Sequence, residues 1–314
     1  METKGFTSYL ESKNHSKYTQ EGYIKCVKKF LLWYKPDPIN CIKKDILDYL
    51  EYLKNRKGQQ NRTRAMSLLA LKHYFSFLLK AGQINTNPCN FIKIRGQKRK
   101  TLYKIYTPEE LDTLFDNYYN VFIRTFDDSK MHKYQRKQAQ LCRERNALIL
   151  SILINQGVTT GEVERIELGD VDLIKATIKI LGGRHSNERT MPLKATQIGL
   201  FLNYMQNIRP QFVEYQTNES EKLFLSLPTV SCKTAKNDIT TTIFSRLTNQ
   251  LKSIDKQFIN FKQIRASLIT SRLKIYDLRK TQYLAGHRYV SSTESYQVNN
   301  LDNLIDDINK LHPF

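Results

Sequence analysis

Along this 314-residue chain the apolar positions recur mostly at helical spacing. Tyr23, Val27, Phe30, Leu31 and Tyr34 fall at i, i+4, i+7, i+8 and i+11, which is one stripe of a helix. Lys25, Lys28, Lys29 and Lys35 occupy much of the remaining surface. A second helix is expected over Asp45 to Leu53, where Ile46, Leu50 and Leu53 share a face. A longer one follows Asn61, with Leu68, Leu71, Phe75 and Leu78 turned inward and Arg62, Arg64 and Lys72 off that stripe. Gly82 is placed to end it, and Asn87-Pro88 opposes a simple continuation. The rings on these stripes read as core packing, because base stacking needs exposed faces.

Residues 94–104 are polar, basic and weakly periodic, as an interdomain linker lying against phosphate would be. Helix entry resumes at Thr107-Pro108-Glu109-Glu110, a capping box with threonine at the N-cap, proline at the first position and Glu110 at the third. The pattern beyond is mainly helical, including the apolar run Ala147 to Ile154. Ala176 to Leu181 and Arg189 to Leu193 break it. They alternate or are β-branched, and they flank Gly182-Gly183-Arg184-His185-Ser186-Asn187, which predicts a β-hairpin. In the tail, Leu301, Leu304, Ile305, Ile308 and Leu311 form an amphipathic stripe with Asp302, Asp306 and Asp307 outside it. The fold class is therefore mainly α with a small β-hairpin or sheet.

Charge adds a functional direction. Fifty Lys and Arg against thirty Asp and Glu leave +20. Residues 1–106 hold 22 basic and 7 acidic side chains, whereas residues 107–314 hold 28 and 23. A basic first third joined to a nearly balanced remainder points to a polyanion-binding module, with nucleic acid favoured over an anionic membrane or simple solubility. No apolar run approaches the ~20 residues of a membrane span, and no lipidation motif is present. Cys26, Cys41, Cys89, Cys142 and Cys232 are scattered, without Cys-x-x-Cys or zinc-finger spacing. A reducing, cytoplasmic setting is expected, with nucleoid association following from DNA binding. There is no Gly-x-x-x-x-Gly-Lys-Ser/Thr loop and no compact carboxylate cluster, so neither cofactor nor metal is expected.

Near the C-terminus, Leu284-Ala285-Gly286-His287, then Ser292-Thr293 and Tyr296, resembles the signature of the tyrosine recombinase (phage integrase) family. In that family a nucleophilic tyrosine follows the histidine by nine residues, the spacing of His287 and Tyr296. Further boxes appear upstream in order. Lys262-Gln-Ile-Arg265 resembles the His/Lys-x-x-Arg box. Gly157-Val-Thr-Thr-Gly-Glu162-Val, with Leu168 and Asp170-Val-Asp172, is similar to the Gly-Leu-Arg-x-x-Glu-Leu helix and its Asp-x-Asp continuation. Gly183-Arg184 through Glu188-Arg189 to Pro192-Leu193 resembles the Gly-Lys…Glu-Arg…Pro-Leu segment. Two positions depart: Thr159 stands where the family has its first catalytic arginine, and Arg184 where it has its hairpin lysine.

The chemistry asked of these residues is specific. A phenol has a pKa of ~10, so it attacks a phosphodiester only when its proton is removed or cations stabilise the phenolate. As phosphorus becomes five-coordinate, charge gathers on the non-bridging oxygens, and fixed donors must meet it. Arg265 offers a bidentate fork, with His287 and Lys262 adding donors. Arg184 is a poor general acid but stabilises charge. For the gap at Thr159 the available cations are Arg143, Arg145, Arg165 or a protomer contact. Arg165 lies six residues on, about 120° round an ideal helix, which argues against simple substitution.

The resemblance implies a two-domain clamp on duplex DNA: a helical core-binding domain over residues 1–96, a basic linker over 97–106 and a catalytic domain over 107–314. Its site would comprise Tyr296, Arg265, His287, Lys262 and Arg184, with Lys25, Lys28, Arg62, Arg64, Lys72, Lys98, Arg99 and Lys100 on DNA. It implies strand exchange through a 3′-phosphotyrosyl intermediate in the integration, excision or resolution of mobile or circular DNA. Protomers would assemble as a tetramer on paired sites by exchanging the C-terminal helix, with an accessory DNA-bending protein or second recombinase as a further partner and no membrane. Two other readings stay open: a catalytically impaired DNA-binding accessory of the same fold, and a type IB topoisomerase-like enzyme.

Overall fold

The computed structural model describes residues 3–96, 104–127, 129, 131–183, 186–227 and 241–297. The chain divides into two compact units, Met1–Thr101 and Leu102–Phe314.

The first unit is helical: α1 (Thr3–Ser12), α2 (Lys17–Trp33), α3 (Lys43–Asn55) and α4 (Asn61–Lys80). Each start has a local cause. The Ser16 hydroxyl accepts the Thr19 amide ahead of α2, and the Asp45 carboxylate accepts the Ile42 amide, 2.9 Å away, at the head of α3. The stripes converge on one core in which Phe6, Val27, Phe30, Ile46, Leu71 and Phe75 are sealed from solvent. Its rings pack edge-on and stacked, as Phe30 does on Tyr49 and Tyr34. The expected inward residues of α4, Leu68, Leu71, Phe75 and Leu78, are all buried. After α4 the chain turns at Gly82, and the Asn87 side chain fastens the next segment by donating to the Lys72 carbonyl at 3.1 Å.

The second unit holds α5 (Pro108–Asp116), α6 (Lys133–Gln156), α7 (Thr160–Arg165), β1 (Val171–Asp172), β2 (Thr177–Ile180), β3 (Arg189–Pro192), α8 (Ala195–Asn203), α9 (Arg209–Val213), α10 (Thr241–Ile254), α11 (Phe261–Ile275), α12 (Leu278–Ala285) and α13 (Val290–Glu294). Thr107 and Glu110 form the expected capping box: the hydroxyl accepts the Glu110 amide at 3.2 Å and the carboxylate accepts the Thr107 amide at 2.8 Å. The apolar run of α6 is the centre of the core, with Ile149, Leu150 and Ile152 fully buried. Beside it lie Phe201 of α8, Leu247 of α10 and Ile264 of α11.

The expected hairpin is β2 and β3, antiparallel, with Ile178 opposite Met191 and Ile180 opposite Arg189. Periodicity over two residues carries no signal, so the pairing of β1 onto β2 was not legible and makes the sheet three-stranded. The expected linker over 97–106 stops short of its last residue. Residues 97–103 lie outside the described residues, but Tyr106 belongs to the second core. Its amide donates to Ser267 Oγ at 2.9 Å and its hydroxyl to Asp255 at 2.6 Å. A tyrosine in a basic, weakly periodic stretch gives no local sign of such distant partners. Among the described residues no helix is long and apolar enough to cross a membrane.

Candidate active site

The geometry begins with two helix ends. α6 stops at Gly157 and α12 at Gly286, both glycines in the left-handed region, with φ of +66° and +69°. A helix C-terminus presents unpaired carbonyls and the negative end of its dipole. Two arginines of α11, seven residues apart and so on one face, take those carbonyls. Arg265 donates to the carbonyls of Gly157 and, at 2.7 Å, of Ala285. Arg272 donates to the Asn155 carbonyl at 2.9 Å and also reaches those of Gln156 and Leu284. The guanidinium of Arg265 is thereby aimed by the backbone of two other helices rather than by its own rotamer preference.

Glu162 supplies the counter-charge. One carboxylate oxygen accepts from Arg189 at 2.8 Å, in a pair whose side chains are 0% and 2% exposed. The other accepts the Thr159 amide at 2.7 Å and the Thr159 hydroxyl at 3.0 Å, and it faces Arg265 at 3.8 Å. Burial alone would raise the Glu162 carboxyl. The Arg189 hydrogen bond and charge, the Thr159 amide and the Arg265 charge outweigh burial and hold it below its ordinary range. Burial first, and then the charges of Arg189 and Arg265, pull Arg272 down to about 10. Two guanidinium groups thus face one carboxylate, with Arg272 near enough to feel both, leaving the site electropositive.

Thr159 has a clear local role. It is the N-cap of α7, and its hydroxyl accepts the Glu162 amide at 3.2 Å. The side chain is short and committed to the cap, so it projects no donor towards a ligand.

Tyr296 follows α13, half-buried, its amide bonded to the Thr293 carbonyl at 3.0 Å. Its ring stacks on the His287 ring, with centroids 5.7 Å apart and planes 12° from parallel. The Tyr296 hydroxyl lies within electrostatic reach of the Arg265 guanidinium and works against the lowering that burial imposes on it. His287 Nδ1 lies 2.9 Å from Thr293 Oγ1, which fixes the ring plane. The hairpin is stitched to the same place, because Ser186 bridges His287 and the Asn187 amide donates to the Gly286 carbonyl at 2.9 Å. A side chain at Gly286 would be strained and would displace the buried Arg189, since its Cβ would fall 2.2 Å from Arg189 Nη1.

The structure therefore brings Tyr296, Arg265 and His287 together. Lys262, in the first turn of α11, is exposed, and no hydrogen bond or ion pair joins its ammonium to them among the described residues. Arg184 lies outside the described residues. Sequence reasoning missed the work of Arg189 and Arg272, whose partners are distant in the chain; the Glu-Arg pair at 188–189 was a family match without a role.

Of the residues expected on DNA, Lys25, Lys28 and Arg62 are exposed, and their charges are unpaired among the described residues. Arg64 and Lys72 differ, because their nitrogens serve the fold. Arg64 donates to the Leu50 carbonyl at 3.0 Å and to Asn61 at 3.0 Å, and Lys72 Nζ donates to the Ile92 carbonyl at 2.9 Å. Helical wheels place a residue off the apolar stripe but do not show the carbonyls that a long cationic side chain can reach. Lys98, Arg99 and Lys100 lie outside the described residues, as does the amphipathic tail at 300–314. Among the described residues no cluster of three or more His, Cys, Asp or Glu could hold a metal ion.

Comparison with known proteins agrees with this architecture. Residues 3–83 match the phage integrase N-terminal SAM-like domain, and residues 124–302 match the phage integrase family. The chain belongs to the phage integrase family, the tyrosine recombinases of DNA strand exchange. It is 26% identical over 302 residues to the tyrosine recombinase XerC of Anoxybacillus flavithermus (strain DSM 21510 / WK1), covering 93% of this chain and 90% of that one. Identity to XerC of Bacillus subtilis (strain 168) is 26% over 298 residues, with the same coverage of 93% and 90%. In fold it is similar to the XerH site-specific recombinase bound to a palindromic difH substrate in a post-cleavage complex. That likeness has a TM-score of 0.65 at 18% identity and covers 96% of this chain and 82% of that one. The lambda integrase dimer bound to a COC′ core site gives a TM-score of 0.59 at 14% identity, covering 94% and 75%.

Replacing Glu162 with Gln leaves Arg189 buried without its charge partner, and a loss of about 3–5 kcal/mol in unfolding free energy at neutral pH is expected. Because the folded-state pKa of Glu162 is depressed, its contribution is present above the unfolded carboxylate value and disappears as pH falls through the folded value. Denaturant titrations should therefore show the wild-type and Glu162→Gln curves converging in acid. A gap that stays constant with pH would contradict the pairing.

Proposed function

We propose that this chain is a site-specific DNA recombinase that cuts and rejoins duplex DNA through a covalent bond between Tyr296 and a 3′-phosphate. The observation that carries the proposal is the meeting of the Tyr296 ring, the Arg265 guanidinium and the His287 imidazole at the ends of α6 and α12.

In the reaction the Tyr296 oxygen attacks the scissile phosphorus. A tyrosyl P–O bond forms as the bond to the 5′-oxygen of the next nucleotide breaks. The phenol gives up its proton, and the departing oxygen takes one up and leaves as a hydroxyl, so charge and atoms balance. The phosphodiester energy is kept in the phosphotyrosyl bond, and attack by a 5′-hydroxyl of the partner strand reverses the step. Arg265 and His287 meet the charge that grows on the non-bridging oxygens. Lys262 joins them when DNA is bound, and Arg184 adds positive charge from the hairpin. Exposed Lys25, Lys28 and Arg62 contact phosphates from the helical unit, and the segment after Tyr296 links protomers on paired sites.

Sites are found by selecting bound duplexes from a random pool and are then nicked, so that religation is lost. The full chain should leave a protein–DNA adduct stable to denaturant, and Tyr296→Phe should leave none. Binding without any adduct would instead describe an accessory that has kept the fold and lost turnover, a reading the threonine at 159 favours. Site-independent relaxation of supercoils would mark a topoisomerase.

Affinity should fall steeply with salt. Lys25→Ala, Lys28→Ala and Arg62→Ala should each lower the log–log slope by about 0.9, measured by fluorescence anisotropy. Arg64→Ala and Lys72→Ala should lower thermal stability as well. Slopes unchanged by all of the first three would contradict their role.

A further inference from the structure

We infer that Arg165 supplies the second guanidinium of the active site, in place of the arginine that Thr159 cannot provide. The inference rests on the proposed chemistry at Tyr296. Side chains on a helix lean towards its N-terminus. Arg165, at the end of α7, runs back along that helix over Gly161, where a Cβ would lie 3.8 Å from its Nη1. Its second terminal nitrogen reaches the hairpin: a Cβ at Gly183 would lie 3.2 Å from Arg165 Nη2 and 3.3 Å from Ser186 Oγ. Ser186 is the residue that bridges His287, and His287 carries the Tyr296 ring on its face. The guanidinium of Arg165 thus lies beside the hairpin residue that bridges to His287.

Cα directions round the helix do not decide where a side chain as long as Arg165 ends. Thr159 precedes the helix as its cap, and the arginine crosses a full turn through its own length, over a position that glycine leaves bare.

Among the described residues no carboxylate pairs with the Arg165 guanidinium, and its Nε is shut off from solvent with no hydrogen-bond partner. A cation in that condition lacks an anion, and a non-bridging phosphate oxygen fits the planar fork. The competing arginines are committed elsewhere. Arg145 donates to the Leu225 carbonyl and to Asn146, Arg143 stacks on Phe126 at 3.3 Å, and Arg189 is sealed against Glu162 with no exposed surface to offer a ligand.

The test compares adduct formation by the full chain on two nicked duplexes, one with an ordinary scissile phosphodiester and one with a methylphosphonate there. The methylphosphonate removes the charge that a second cation would meet. Arg165→Ala should slow adduct formation by about 10²–10³-fold on the phosphodiester and recover on the methylphosphonate, whereas Arg165→Lys should fall between Arg165→Ala and wild type. Wild-type rates for Arg165→Ala on the phosphodiester would overturn the assignment and leave the recombinase reading intact. So would an Arg165→Ala chain no faster on methylphosphonate than on phosphodiester, since misfolding is not repaired by neutral DNA. A wild-type chain that forms no adduct on either duplex would overturn the assignment and the underlying chemistry together.

Discussion

The carboxylate of Glu162 is the point on which the catalytic unit turns. It is buried, it accepts from Arg189 and from the cap of α7, and it faces Arg265. Burying a lone charge in a protein is costly, and burying the guanidinium groups of Arg189 and Arg265 without a counter-ion would be worse. With Glu162 in place the cluster becomes tolerable and stays positive. The same contact ties α7, the hairpin and α11 into one body, so the groups facing a ligand inherit their positions from a pair that never touches it.

Helix ends do the remaining positioning. Arg265 and Arg272 occupy carbonyls at the C-termini of α6 and α12, where the backbone supplies directional acceptors and a favourable dipole. A glycine at each end lets the chain reverse, and Gly286 also leaves room for Arg189. Fixed guanidinium groups suit a reaction in which charge appears briefly on phosphate oxygens, because they need no rearrangement at the moment of bond exchange.

Much of this was legible in the order of residues, and the reasons are local. The stripes through Val27 and Phe75, the Thr107 cap and the β-branched run before Gly182 obey rules confined to a few residues. The motif from Gly286 to Tyr296 was readable because its spacing is carried by one short turn. What escaped depends on contacts between distant segments: Tyr106 bonded to Ser267, Lys72 to Ile92, Arg272 to the end of α6. Long cationic side chains are the hardest to read, since a wheel gives the direction in which they leave the helix and not the carbonyl or ligand at which they end. Arg64 is the example: it leaves its helix off the apolar stripe and ends on the Leu50 carbonyl.

Tyr283, Tyr289 and Tyr296 follow one another near the C-terminus, six and seven positions apart, and the first two are 54% and 64% exposed. Mass spectrometry of the nuclease-trimmed protein–DNA adduct tests directly which oxygen reacts. A nucleotide joined through its 3′-phosphate to the peptide containing Tyr296 is the result expected from the cradle of Arg265 and His287. A nucleotide on Tyr283 or Tyr289, or one joined through a 5′-phosphate, would contradict it.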